Sequence, residues 1–175
     1  MTTRKMTGIH MSRSTSFLIA ALVLFADQLT KMLVIARVEI YATIVIIPGA
    51  LNIIRSTNRG IAFGILSDSS SPWIKLGLIV LASAVMIFIG GLLWKTGGVP
   101  EARRMALAMA LVMGGAAGNL VDRLLRGEVT DFLDFYVGGY HWYTFNVADA
   151  AITVGAALVL LDVFAARPAP GSDAN

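Results

Sequence analysis

Four stretches of this chain are long and apolar enough to cross a bilayer, and they limit the fold more than any other feature. A span needs about 20 mostly apolar residues. Residues 17–35, 73–94, 105–125 and 147–166 meet or approach that length. In lipid, backbone polar groups must be satisfied within each segment, so all four are expected to be helices. Trp73 and Trp94 bracket the second, as an interfacial aromatic belt would. The first is expected to be a permanent span rather than a cleaved leader. A leader has an apolar core of about 7–15 residues without an acid, whereas Asp27-Gln28-Leu29-Thr30-Lys31 interrupts this one.

The connections differ in kind. Residues 95–104 are short, basic and contain Gly and Pro, which reads as a cytoplasmic loop. Residues 38–66 are rich in Ile, Val, Tyr and Thr around Pro48-Gly49, which predicts two or three short strands. Open strand edges are not tolerated in hydrocarbon, so this segment belongs at the interface or outside. Residues 128–145 read as a second, irregular piece whose aromatics (Phe132, Phe135, Tyr136, Tyr140, Trp142, Tyr143) suit the headgroup layer. The expectation is an all-α membrane protein. It has a cytoplasmic tail (1–16), one four-helix domain (17–166) with an extracytoplasmic β-rich segment between helices 1 and 2, and a disordered tail (167–175). Basic residues are densest in the tails and the 95–104 loop, which places the N-terminus in the cytoplasm.

The apolar runs contain acids. A carboxylate in hydrocarbon costs several kcal/mol, so Asp27, Asp122 and Asp149 mark a candidate site. Helices 1 and 3 run outward with Asp27 and Asp122 in their second halves. Helix 4 runs inward with Asp149 near its start. The connections carrying Asn58, Asp131 and Asp134 lie on the same side. All these groups collect at one face whichever way the chain inserts. Asp162, late in helix 4, stands apart and reads as a bystander. Two carboxylates held close do not both ionise, so one can activate water while the other donates a proton. With 0 Cys and 2 His, thiolate chemistry, Ser-His-Asp chemistry and a His-based metal site lack their parts, while paired acids remain available. No cofactor, metal or nucleic acid is expected. Spacing leaves the pairing open: Asp149 stands beside a polar loop, and Asp122, Asp131 and Asp134 compete to be its partner.

Five blocks, in order, carry a resemblance. They are Asp27-Gln28-Leu29-Thr30-Lys31; Asn58-Arg59-Gly60-Ile61-Ala62-Phe63; Gly114-Gly115-Ala116-Ala117-Gly118-Asn119-Leu120-Val121-Asp122-Arg123; Val129-Thr130-Asp131-Phe132; and Phe145-Asn146-Val147-Ala148-Asp149. Together they resemble the bacterial lipoprotein signal peptidase (signal peptidase II) family, four-helix membrane aspartic peptidases. The resemblance implies that Asp131 and Asp149 are the catalytic pair. It implies cleavage of diacylglyceryl-modified prolipoproteins before the lipidated cysteine, at the outer face of the bacterial cytoplasmic membrane. Tyr143 stands where the family commonly has proline, and Ala150 where it commonly has serine.

Each residue also has a plainer reading. Asn146-x-x-Asp149 looks like a helix N-cap with a first-turn acid. Asp27 and Lys31, four apart, can simply pair. Gly114 to Gly118 is a small-xxx-small packing pattern. Asn119 and Asp122 share a face beside it and read as the pair's hydrogen-bonding support, with Asn146 and Ala148. Arg123 is expected to meet an acid or an interfacial phosphate. Asn58, followed by Gly60, suits a turn and, through the resemblance, a hold on the substrate backbone. Asp134 reads as a solvated acid and His141 as an interfacial polar residue. Partners are expected to be the prolipoprotein and membrane lipids, with the chain a monomer. The alternative function is a small proton-coupled transporter or channel subunit.

Overall fold

The computed structural model describes residues 11–60, 71–96 and 103–165. Within them the order is α1 (Arg13–Arg37), β1 (Thr43–Ile47), β2 (Leu51–Asn58), α2 (Pro72–Thr96), α3 (Arg103–Leu125), β3 (Val129–Val137), β4 (Tyr140–His141) and α4 (Val147–Ala165). The four helices are long and apolar enough to cross a membrane. Most of the N-terminal tail, the 167–175 tail, the middle of the 95–104 loop and the end of the 38–66 segment lie outside the described residues.

The helices start and stop where local chemistry directs. Ser12 caps α1, its Oγ accepting from the Thr15 amide at 3.0 Å. Arg55 closes the other end, donating to the free carbonyls of Ile35 and Val38 at 3.2 and 3.3 Å. Pro72 opens α2, where its missing N–H costs nothing.

α3 is the centre of the bundle. Over half of its apolar stretch (56%) is buried, against 6% for α2, because α1, α2 and α4 all pack on it. Glycine makes this approach possible. A Cβ on Gly114 would lie 2.6 Å from the Ala20 carbonyl of α1, and one on Gly115 would lie 2.8 Å from Ile152 of α4. Gly155 of α4 meets the Ala108 carbonyl of α3 in the same way, at 2.7 Å. This is helix association by backbone contact, as membranes favour.

The sheet differs from expectation. It has four antiparallel strands in the order β1-β2-β3-β4, so half its strands come from the connection between α3 and α4. The chain is therefore not all-α with one β-rich insert. It is a helical bundle with a sheet drawn from both connections on that side. The alternation expected of a strand is masked in β3, because Val129, Thr130, Asp131 and Phe132 are all buried. The sheet is fastened to the bundle by Val34 of α1 and Val38, its C-cap, packing on Phe132. A second tie is backbone: Phe132 and Leu133 both donate to the Phe145 carbonyl, at 3.0 and 2.7 Å. That tie lays β3 beside the start of α4.

Candidate active site

Asp131 and Asp149 meet around one asparagine. Asn146 is the N-cap of α4: its Oδ1 accepts from the Asp149 amide at 2.9 Å, and the Asp149 carboxylate reaches back toward the Asn146 amide at 3.4 Å. This is the reciprocal pattern of a capping box. The cap's other arm points across to the sheet, where Nδ2 donates to Asp131 Oδ1 at 2.7 Å. The capping reading of Asn146 and the site reading of Asp149 are thus one arrangement.

Sheet register supplies the next contact. Asn58 pairs with Val129, which makes Asp131 its diagonal neighbour on the same face. Its Nδ2 donates to Asp131 Oδ2 at 3.1 Å, while its Oδ1 accepts from the Gly60 amide at 2.9 Å. So the side chain both closes the turn and holds the acid. Both Asp131 oxygens now accept from amides. Burial, and then the nearness of Asp149, push the Asp131 carboxyl up to about 7 despite those amides and Lys31.

Asp149 is held from α3: Asn119 Nδ2 donates to its Oδ1 at 2.7 Å. Arg123, one turn on, donates to the Gly60 carbonyl at 2.8 Å and to its own helix at Asn119 O, 3.3 Å. It faces the charges of Asp149 and Asp131 without an ion pair to either among the described residues, and its Nε is buried without a partner there.

Behind this layer is a fully buried charge cluster. Lys31 Nζ bridges Asp27 Oδ2 and Asp122 Oδ2, both at 2.8 Å, and all three side chains are 0% exposed. Asp122 also accepts from the Thr130 amide at 3.2 Å and pairs with Arg126. Asp122 therefore does not support the aspartate pair directly, as its shared face with Asn119 suggested. Its position on α3 aims it at α1 instead. Asp27 Oδ1 accepts from the Ala148 amide at 2.9 Å, an otherwise free first-turn donor of α4. Gly118 leaves the space that the Asp27 carboxylate fills.

Sequence reasoning missed several members. Gln28 Nε2 lies 3.1 Å from each of Asp27 Oδ2, Asp122 Oδ1 and the Gly118 carbonyl. A polar amide beside Asp27 in an apolar run was the available signal. Arg126 was legible as the i+4 partner of Asp122. Asp134 is not a solvated acid. It is 1% exposed and paired with Asn52 Nδ2 and His141 Nδ1, each at 2.9 Å. The cross-strand match of Asn52 to Asp134 creates that site, and it was invisible until β3 was known to be a strand. Asp162 stands at the far end of α4, paired with Arg104 at 3.1 Å. No group of three metal-ligating side chains occurs among the described residues.

A family model described as Signal peptidase (SPase) II matches residues 19–165. A protein of Solibacter usitatus named lipoprotein signal peptidase is 50% identical over 145 residues, covering 83% of this chain and 87% of its own. One of Paraburkholderia phymatum with the same name is 43% identical over 144 residues, covering 82% and 84%. A solved structure described as a bacterial membrane enzyme, determined in meso at 2.3 Å, superposes with a TM-score of 0.78 at 30% identity, covering 95% of this chain and 99% of that one.

Proposed function

Because this chain belongs to the signal peptidase II family, we propose that it is a membrane aspartic endopeptidase that removes the signal peptide from diacylglyceryl-modified prolipoproteins, with Asp131 and Asp149 as its catalytic pair. The observation that carries the assignment is the shared Asn146, which binds Asp131 through its side chain and Asp149 through its cap. Two acids so joined stabilise a state with one proton between them. The ionised member takes a proton from water, which attacks the scissile carbonyl. The protonated member donates its proton to the carbonyl oxygen; as the tetrahedral intermediate collapses it recovers that proton, and the other member passes the proton taken from water to the leaving amine. Asn119 and Asn58 hold the two carboxylates in register. Arg123, beside Gly60 and both acids, is placed to meet charge developing on the substrate. Neither step uses a metal or organic cofactor.

The protein is a multi-pass membrane protein. In the proposed orientation the termini lie in the cytoplasm of a bacterial inner membrane, and the sheet and the aspartates face the periplasm. The exposed aromatics Tyr140, Trp142 and Tyr143 beside the sheet suit the headgroup layer. The transporter or channel alternative finds no support among the relatives, whose shared name is a peptidase.

The test is direct. The purified protein is incubated with a prolipoprotein carrying the diacylglyceryl group and with the same chain lacking it. Cleavage of the lipid-modified chain alone is the expected result. Cleavage of neither, or of both equally, overturns the proposal.

A further inference from the structure

Asn119 poses a question of orientation. A side-chain amide can present either its oxygen or its nitrogen to a neighbour, and only the nitrogen can donate to Asp149. What decides the choice lies on the other side of the amide. Lys31 Nζ donates to Asn119 Oδ1 at 3.1 Å, and Asn146 Nδ2 lies 3.3 Å from the same oxygen. A lysine ammonium has three donors and no acceptor. Two of its donors are taken by Asp27 and Asp122, at 2.8 Å each. The third meets Asn119, and only the amide oxygen can receive it. The nitrogen is thereby turned to Asp149 Oδ1 at 2.7 Å. With the amide reversed, its nitrogen would face the ammonium and its oxygen the carboxylate, donor against donor and acceptor against acceptor, leaving Asp149 without its donor. Lys31 is 0% exposed, so bulk water does not compete for the ammonium.

Resting on the peptidase reading above, we infer that Lys31 is a positioning residue: it fixes the Asn119 amide and through it keeps Asp149 as a hydrogen-bond acceptor, the water-activating member of the pair. This gives the buried cluster of α1 a role beyond joining helices. Asp27 serves the same end by a second route, holding the Ala148 backbone next to Asp149.

A double-mutant cycle tests the relay. Lys31→Met and Asn119→Ala are each expected to lower kcat about 10- to 100-fold with KM within about twofold, the range for residues that orient reacting groups. Their combination is expected to be no worse than Asn119→Ala alone, because without the amide there is nothing to orient. Losses that multiply overturn the inference, since a merely structural lysine would act independently. Lys31→Met leaves two buried carboxylates short of a cation, so the cycle is repeated with the charge-matched Lys31→Met/Asp122→Asn. If the wild-type protein cleaves no prolipoprotein, the peptidase reading fails by itself. The relay is then judged by infrared spectroscopy at neutral pH. Lys31→Met is expected to gain a protonated-carboxyl band that disappears on adding Asp149→Asn, and an unchanged spectrum overturns it.

Discussion

The two ends of the bundle contain the same residue types and use them differently. At one end Asp162 pairs with Arg104 at 3.1 Å, with side chains 23% and 55% exposed. At the other, Lys31, Asp27 and Asp122 are wholly buried, and every charge has several partners. Exposed ion pairs are worth about 0–1 kcal/mol. Breaking a buried one costs about 3–5 kcal/mol, because a charge is left without compensation. An acid within a membrane helix is thus not itself a sign of chemistry. What distinguishes the proposed active end is convergence: Asn58 and Asn146 from the two connections and Asn119 from α3 bring donors to the same two carboxylates.

The largest effects should come from the converging end. Asp131→Asn and Asp149→Asn are each expected to lower prolipoprotein cleavage by about 10⁴-fold or more while the protein still inserts and keeps its helix content. Circular dichroism beside the cleavage assay checks both parts. A near-wild-type rate in either variant would remove the chemical distinction between the two ends. The next effect is on pH. In an unfolded chain the Asp131 carboxyl titrates at the ordinary aspartate value of 3.8, but in the fold it is pushed up to about 7. Between these values the folded state binds the extra proton, so stability should fall as pH rises from about 4 to about 7 and level off on either side. A pair that needs one proton should likewise lose rate as pH passes about 7. Denaturant unfolding and kcat measured across pH 4–9 check the two trends. Stability rising through that window would contradict the burial assigned to Asp131.

Much of this was legible before any coordinates. The four spans follow from length and apolarity, and the Gly114 to Gly118 pattern correctly marks the contact faces of α3. The Asp27–Lys31 pair follows from i,i+4 spacing. What stayed hidden depended on contacts distant in sequence. β3 lacks the alternation of a half-buried strand because its first four residues are all enclosed, two of them polar. Missing that strand also concealed the Asn52–Asp134 match and made Asp134 look solvated. Likewise, one face of α3 serves two neighbours. Asn119 reaches Asp149 of α4 as well as Lys31 of α1, whereas Asp122 turns to α1, a division that helical spacing alone does not resolve.

The smallest effect belongs to the other end and sharpens the contrast most economically. Asp149 and Asp162 lie on the same helix, 13 positions apart by their numbers, or about 20 Å along its axis. Both are aspartates beside an arginine of α3. If charge in α4 mattered in itself, Asp162→Asn should resemble Asp149→Asn. If convergence and burial matter, Asp162→Asn removes only one partly solvated pair. Cleavage should then stay within about twofold and stability within about 0.5 kcal/mol. High salt should mimic the substitution, because an exposed pair is screened and a buried one is not. A marked loss of cleavage in Asp162→Asn would instead mean that the two ends communicate through α4, and the site would have to be redrawn to include both.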